Sequence, residues 1–149
     1  MEVKIVNSDQ ELADAFDVRK TVFIHEQNVP EEEEIDQYES DSVHFVLYDD
    51  HKKAAGAGRF RVLDGVGKVE RICVLKENRK TGAGVAVMNK IEEYAKSQGI
   101  STLKLNAQTH AIPFYSRLGY ETVSEEFMDA GIPHKTMKKS IRVKTPIQI

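Results

Sequence analysis

The sequence predicts a single α+β domain with its elements in the order β-α-β-β-β-α-β-α-β-β. Three observations carry that expectation. Apolar residues fill three stretches, 43–48, 54–63 and 66–75, divided by short polar turns, as strands joined by tight connections would be. Two other stretches, 9–25 and 82–98, repeat their apolar residues at helical spacing. No repeat, low-complexity tract or Pro/Gly/Ser linker divides the 149 residues, a length that usually closes one hydrophobic core.

Met1 to Val6 alternates like a strand. Ser8 and Glu11 then stand three apart, the spacing of a capping box, ahead of Leu12, Ala15, Phe16 and Phe23, so a first helix is expected over 9–25. Glu26 to Glu34 shows neither period and contains Pro30, which disfavours helix in the residue before it; a solvated loop is expected there, with Asp36. After the three strands, Val87, Met88, Ile91, Tyr94 and Ala95 share one face of a helix that Gly99 is placed to end. Leu103 to Asn106 reads as a short strand. Ala111, Phe114, Tyr115 and Leu118 mark a further helix that starts near Pro113 and stops at Gly119. Strands near 120–123 and 135–140 close the fold.

Composition excludes several classes of function. Hydrophobic and charged contents of 40% and 30% are ordinary for a soluble protein, and no apolar run approaches the roughly 20 residues that cross a bilayer. A net charge of −3 gives no basic face for nucleic acid, and the cluster Lys135, Lys138, Lys139, Arg142 and Lys144 reads as a solvated strand end and tail. One cysteine permits no internal disulfide, and the first residues lack a secretory pattern, so a cytoplasmic location is expected. Cys73, inside an apolar strand, reads as a small buried hydrophobe. The acids at 31–36 have no turn glycine to shape a cation cage, and no metal is expected.

The stretch that carries chemistry runs from Val69 to Gly84. A strand ends near Leu75, and Arg79-Lys80-Thr81-Gly82-Ala83-Gly84 enters the long helix. A helix start offers unpaired N–H groups and a positive dipole end, glycines allow close approach, and Arg79 and Lys80 add charge suited to a pyrophosphate. The P-loop spacing is absent, and the dinucleotide fingerprint would need a glycine where Val87 stands.

Arg-x-x-Gly-x-Gly at 79–84, preceded by Arg71-Ile72-Cys73-Val74 and followed by an amphipathic helix, resembles the coenzyme A signature of the GNAT acetyltransferase superfamily. Glu26-Gln27-Asn28-Val29-Pro30, Asn106 to His110, Phe114 to Tyr120 and Gly131-Ile132-Pro133-His134 further resemble its ElaA-like or YjcF-like branch. The resemblance implies a mixed, mostly antiparallel central sheet flanked by helices, over one domain at 1–141. Residues 142–149 are expected as a C-terminal tail past the last strand, either packed across a homodimer or disordered.

It further implies acetyl-CoA as co-substrate and an amine as acceptor. Ile72, Cys73 and Val74 would offer main-chain groups to the pantetheine arm, with the Val74 N–H facing the thioester oxygen. Arg79, Lys80, Thr81, Gly82, Ala83, Gly84 and Val85 would hold the pyrophosphate, and Asn106 and Phe114 would flank the pantetheine and thiol. Tyr115 matches the tyrosine that protonates the departing thiolate. Glu26, Gln27, Gln108, His110 and His134 are the expected acceptor residues, and Glu26, Glu70, His110 and His134 remain open as the base. The rival reading is an acyl-CoA-binding domain without catalysis.

Overall fold

The computed structural model describes residues 1–142. Residues 143–149 lie outside the described part, and with them nearly all of the expected tail. The described chain is mixed α+β with eight strands, largely antiparallel, and divides into two compact units that interleave in sequence. One comprises Met1–Arg61 with Val69–Lys90; the other comprises Val62–Lys68 with the chain from Ile91 onward.

In the first unit β1 (Glu2–Ile5) pairs antiparallel with β2 (Val43–Tyr48), and β2 with β3 (Ala54–Leu63). Helix α1 (Asp9–Arg19) starts as the sequence predicts: Ser8 Oγ accepts from the Glu11 N–H at 3.1 Å, and Glu11 reaches back to the Asn7 N–H at 2.9 Å. Its continuation departs from the expectation of one α-helix, because Lys20–Glu26 winds wider as a π-helix, with the Gln27 N–H reaching the Val22 carbonyl at 3.1 Å. Asn28, at φ 59°, ends it in a left-handed conformation that asparagine tolerates.

The expected loop after Pro30 also needs correction. Glu31–Glu34 forms a helical turn, α2, and Glu34 is 1% exposed rather than solvated. Four contiguous glutamates have no apolar surface to bury, so charge fixes this segment. Arg19, fully buried, donates from Nε to Glu34 at 2.9 Å and bidentately to Glu39 at 2.9 and 2.8 Å. Arg59, buried on β3, holds Asp36 at 2.8 and 3.0 Å and Glu70 at 3.1 Å, and Arg61 adds a second contact to Glu70 at 2.7 Å.

Strand β4 (Val66–Val74) follows β3 through Asp64-Gly65, both at positive φ. Helix α3 (Ala83–Ser97) sets Ala83, Val87, Ile91 and Ala95 on its buried face. It approaches closely over Gly56, where a Cβ would meet Leu47 Cβ at 3.2 Å and Val87 Cγ2 at 3.6 Å.

In the second unit the start of β4 runs parallel to β5 (Thr102–Gln108), with Gly67 beside Leu103 and Lys68 beside Lys104. A short helix, α4 (Ile112–Arg117), carries its proline in the first turn, and Gly119 at φ 96° ends it. Strand β6 (Glu121–Thr122) pairs with β8 (Ile132–Ser140), which in turn runs antiparallel along β5 over seven residue pairs. Strand β7 (Phe127–Asp129), absent from the expectation, forms a hairpin with β8 through Ala130-Gly131, both at positive φ. An alanine at the first turn position hid that hairpin, since Asn-Gly or Asp-Gly is the usual signal.

Replacing Arg19 by alanine leaves Glu34 and Glu39 with only Arg71 at 3.3 Å and Arg59 at 3.0 Å as cationic partners and is expected to lower unfolding free energy by about 3 kcal/mol in a denaturant titration. Acid should act on the same contacts. Burial raises the Glu39 carboxyl, but the Arg19 hydrogen bond and charge, helped by the Asp36 N–H and Arg59, outweigh it and lower it from 4.5 to about 2. A depressed folded-state value means this stabilisation is complete above the unfolded value and disappears as pH falls from about 5 toward 2. In Glu39→Gln, melting temperature should lose part of its fall across that window.

Candidate active site

Strand β4 is not regular. Arg71 sits at φ 58°, a left-handed conformation that arginine rarely adopts inside a strand. Its guanidinium holds it there by donating to the carbonyls of Glu33 at 3.0 Å and Glu34 at 3.2 Å and to Asp36 at 3.3 Å. Beyond this kink Ile72 and Val74 are half-buried and Cys73 is buried, as strand alternation requires. Burial pushes the Cys73 thiol up to about 12, which makes it a packing group and a poor nucleophile.

After β4 the chain makes a 3₁₀ turn at Lys76–Asn78, and the Thr81 hydroxyl donates back to the Asn78 carbonyl at 2.5 Å. Lys80 at φ 63° and Gly82 at φ 89° are both left-handed. Space beside Gly82 is open, so its requirement is conformational. The Ala86 N–H bonds the Gly82 carbonyl at 3.0 Å, so the N–H groups of Ala83, Gly84 and Val85 precede the first intrahelical bond. Amides at the head of a fifteen-residue helix, a left-handed glycine and exposed Lys76 and Lys80 make a donor set suited to a diphosphate.

The Arg79 side chain is engaged by groups of the protein itself. Its Nε donates to the Val74 carbonyl at 3.0 Å, and its two terminal nitrogens bind Glu26 at 2.6 and 2.8 Å. That hydrogen bond pulls the Glu26 carboxyl below its ordinary value. Glu70 is similarly engaged: burial raises its carboxyl, but Arg61 and Arg59 hold it low.

The second unit gathers the other expected residues. Along β5 and β8, Asn106 stands opposite Thr136 and Gln108 opposite His134. Thr136 Oγ1 donates to Asn106 Oδ1 at 2.8 Å, and His110 Nε2 lies 2.7 Å from Gln108 Oε1. His134, buried, places Nδ1 2.7 Å from the Ile132 carbonyl and stacks on Phe127 at 5.9 Å between centroids. In α4, Tyr115 is 9% exposed, edge-on to Phe114 at 5.0 Å and to Tyr120 at 6.0 Å.

Gln108, His110 and His134 are therefore brought together. Glu26 and Gln27 end the π-helix in the first unit, with Glu26 beside Arg79. Sequence reading missed Arg71 as a backbone device, because nothing in Val69-Glu70-Arg71-Ile72 signals positive φ. It also missed Phe127, whose strand was hidden, and Thr136, the partner of Asn106.

The chain belongs to the GNAT acetyltransferases: residues 5–141 match the family described as acetyltransferase (GNAT) domain, which makes it an acetyl-CoA-dependent acetyltransferase. It is 53% identical over 140 residues to YjcF of Bacillus subtilis (strain 168), described as an uncharacterized N-acetyltransferase, covering 93% of this chain and 99% of that one. Its fold is that of Escherichia coli ElaA, with a TM-score of 0.83, 24% identity and coverage of 93% and 99%. The same fold recurs in an aminoglycoside 6′-N-acetyltransferase solved with coenzyme A, with a TM-score of 0.76, 15% identity and coverage of 98% and 100%. No helix among the described residues is long and apolar enough to cross a membrane.

Cys73 should resist a thiol-specific disulfide reagent at pH 8 in the folded protein and react fully in denaturant. Fast labelling without denaturant would show that β4 opens.

Proposed function

We propose that the chain transfers an acetyl group from acetyl-CoA directly to a primary amine of a small molecule or peptide, with both substrates bound together. The observation that carries this reading is the amide-rich turn from Arg79 to Val85, which follows β4 directly and opens α3. Acetyl-CoA supplies an activated acetyl thioester. The main chain from Arg79 to Val85 holds its pyrophosphate, with Lys80 adding charge. Main-chain groups of Ile72, Cys73 and Val74 take the pantetheine arm, and Asn106 and Phe114 flank the pantetheine and thiol.

The Val74 N–H stabilises the charge that develops on the thioester oxygen, a contribution of about 3–4 kcal/mol in comparable acyl-transfer sites. Tyr115 protonates the departing thiolate. Because a thiol has a reference pKa near 8.5, that help is modest. Glu26, Gln27, Gln108, His110 and His134 receive the acceptor. In this reading residues 1–141 act as one catalytic domain in the cytoplasm, without nucleic acid.

A mass-spectrometric screen of amines and peptides with acetyl-CoA tests the proposal. Acetylated product is expected from at least one primary amine, and Tyr115→Phe should lower kcat roughly 10- to 100-fold with little change in the KM for acetyl-CoA. Clear binding of acetyl-CoA with no product across a broad panel would replace this reading with that of a non-catalytic acyl-CoA-binding domain.

A further inference from the structure

The amine that attacks the thioester must first lose a proton, since an alkylammonium has a pKa near 10.4 and carries no lone pair. Four side chains were open for that task, and their surroundings separate them. Glu26 is bound on both oxygens by Arg79, and Glu70 is bound by Arg59 and Arg61. A carboxylate held by guanidinium groups has its charged form stabilised and is a weakened base. His110 also has one nitrogen tied, Nε2 to Gln108 Oε1 at 2.7 Å, which leaves its lone pair on Nδ1, but its ring is exposed and its partner is a side chain, so neither packing nor main chain fixes its orientation.

His134 is arranged differently. Its Nδ1 lies 2.7 Å from the Ile132 carbonyl, which can only accept, so Nδ1 carries the hydrogen and the neutral ring keeps its lone pair on Nε2. The ring is 8% exposed and stacked on Phe127 with an interplanar angle of 21°, so its orientation is fixed by packing as well as by the hydrogen bond. It projects from β8 at the position opposite Gln108, on the strand pair that also presents Asn106. A base whose second nitrogen is tied to a carbonyl is the arrangement by which proteins fix a histidine tautomer for proton transfer.

We infer that His134 Nε2 is the general base that deprotonates the acceptor amine. The inference rests on the amine-acetylation reading above and assigns the one role it left open. The acceptor ammonium gives a proton to Nε2. The freed lone pair forms the N–C bond as the C–S bond breaks, and the thiolate takes a proton from Tyr115. The nitrogen loses its second proton to solvent, from which Tyr115 is reprotonated, and His134 returns its proton to solvent, so each turnover releases one net proton. The titratable and charged groups nearest His134 in register are His110 beyond Gln108 on the β5 side, Asp129 on β7 and Lys135 beside it on β8.

The test is the pH dependence of kcat/KM for His134→Gln and His134→Ala. Each is assayed with acetyl-CoA and the amine that the unaltered protein acetylates fastest among spermidine, tyramine and tripeptides with free N-termini. Both variants should lose about 10²-fold at pH 7 and climb nearly tenfold per pH unit toward the amine's own pKa, with the KM for acetyl-CoA unchanged. Added imidazole should restore part of the alanine variant's rate. A uniform loss across pH, a loss that tracks a fall in melting temperature, or disappearance of the acid limb in His110→Gln but not in His134→Gln would overturn the assignment. An unaltered protein that acetylates none of these amines would overturn the amine reading itself, whereas normal turnover by the His134 variants would overturn this assignment alone.

Discussion

Two guanidinium groups, on Arg19 and Arg59, are sunk almost completely inside the first unit, and the path of the chain between α1 and β2 follows from the need to neutralise them. An unpaired buried charge costs several kcal/mol, so carboxylates have to be brought to it. They come from one acid-rich segment, as Glu34, Asp36 and Glu39, and from β4 as Glu70. That segment has little apolar surface with which to dock by itself. Its position is an electrostatic one, and the π-helical turn and Glu26 just before it are held at one end by the same anchoring. The pairing is incomplete, since Glu34 Oε2 and Arg59 Nε are buried without a hydrogen-bond partner, which fits a cluster that fixes geometry more than it maximises stability.

The turn before α3 depends on a different constraint. It leaves the N–H groups of Ala83, Gly84 and Val85 without an intrahelical partner, and it is shaped by Lys80 and Gly82, both left-handed, ahead of a helix whose first carbonyl partner is Gly82. Arg79 is the hinge point between the two arrangements. By bonding both the Val74 carbonyl and Glu26 it joins the end of β4 to the end of the π-helix.

Most of the fold was legible in the sequence because its central strands are apolar stretches bounded by polar turns and its helices carry caps that can be read, as Ser8-x-x-Glu11 and Gly99 show. The turn from Arg79 to Val85 was legible as a glycine-bearing start of a helix for a similar reason, since it depends on local spacing. What could not be read depends on partners distant in sequence. Glu34 looks like its three neighbours, yet only it meets Arg19; Arg71 looks like a surface arginine, yet its backbone is inverted. The residues expected at the acceptor were legible as short phrases, and their arrangement was not. Gln108 and His134 prove to be opposite one another on adjacent strands, whereas Glu26 is bound to Arg79, and neither relation has a signature within a short window.

Arg71 also limits how the two sides of the reaction can change independently. Its backbone shapes the strand leading to Val74, while its side chain grips the carbonyls at 33–34 and Asp36. One residue is thus a mechanical tie between a strand and a loop. Redesigning the 31–36 stretch would pull on β4, and the change would register at the strand that leads to Val74. Variation confined to residues 27–30 leaves both this tie and the Glu26–Arg79 pair in place, so that shorter stretch can drift while the geometry of β4 stays constant.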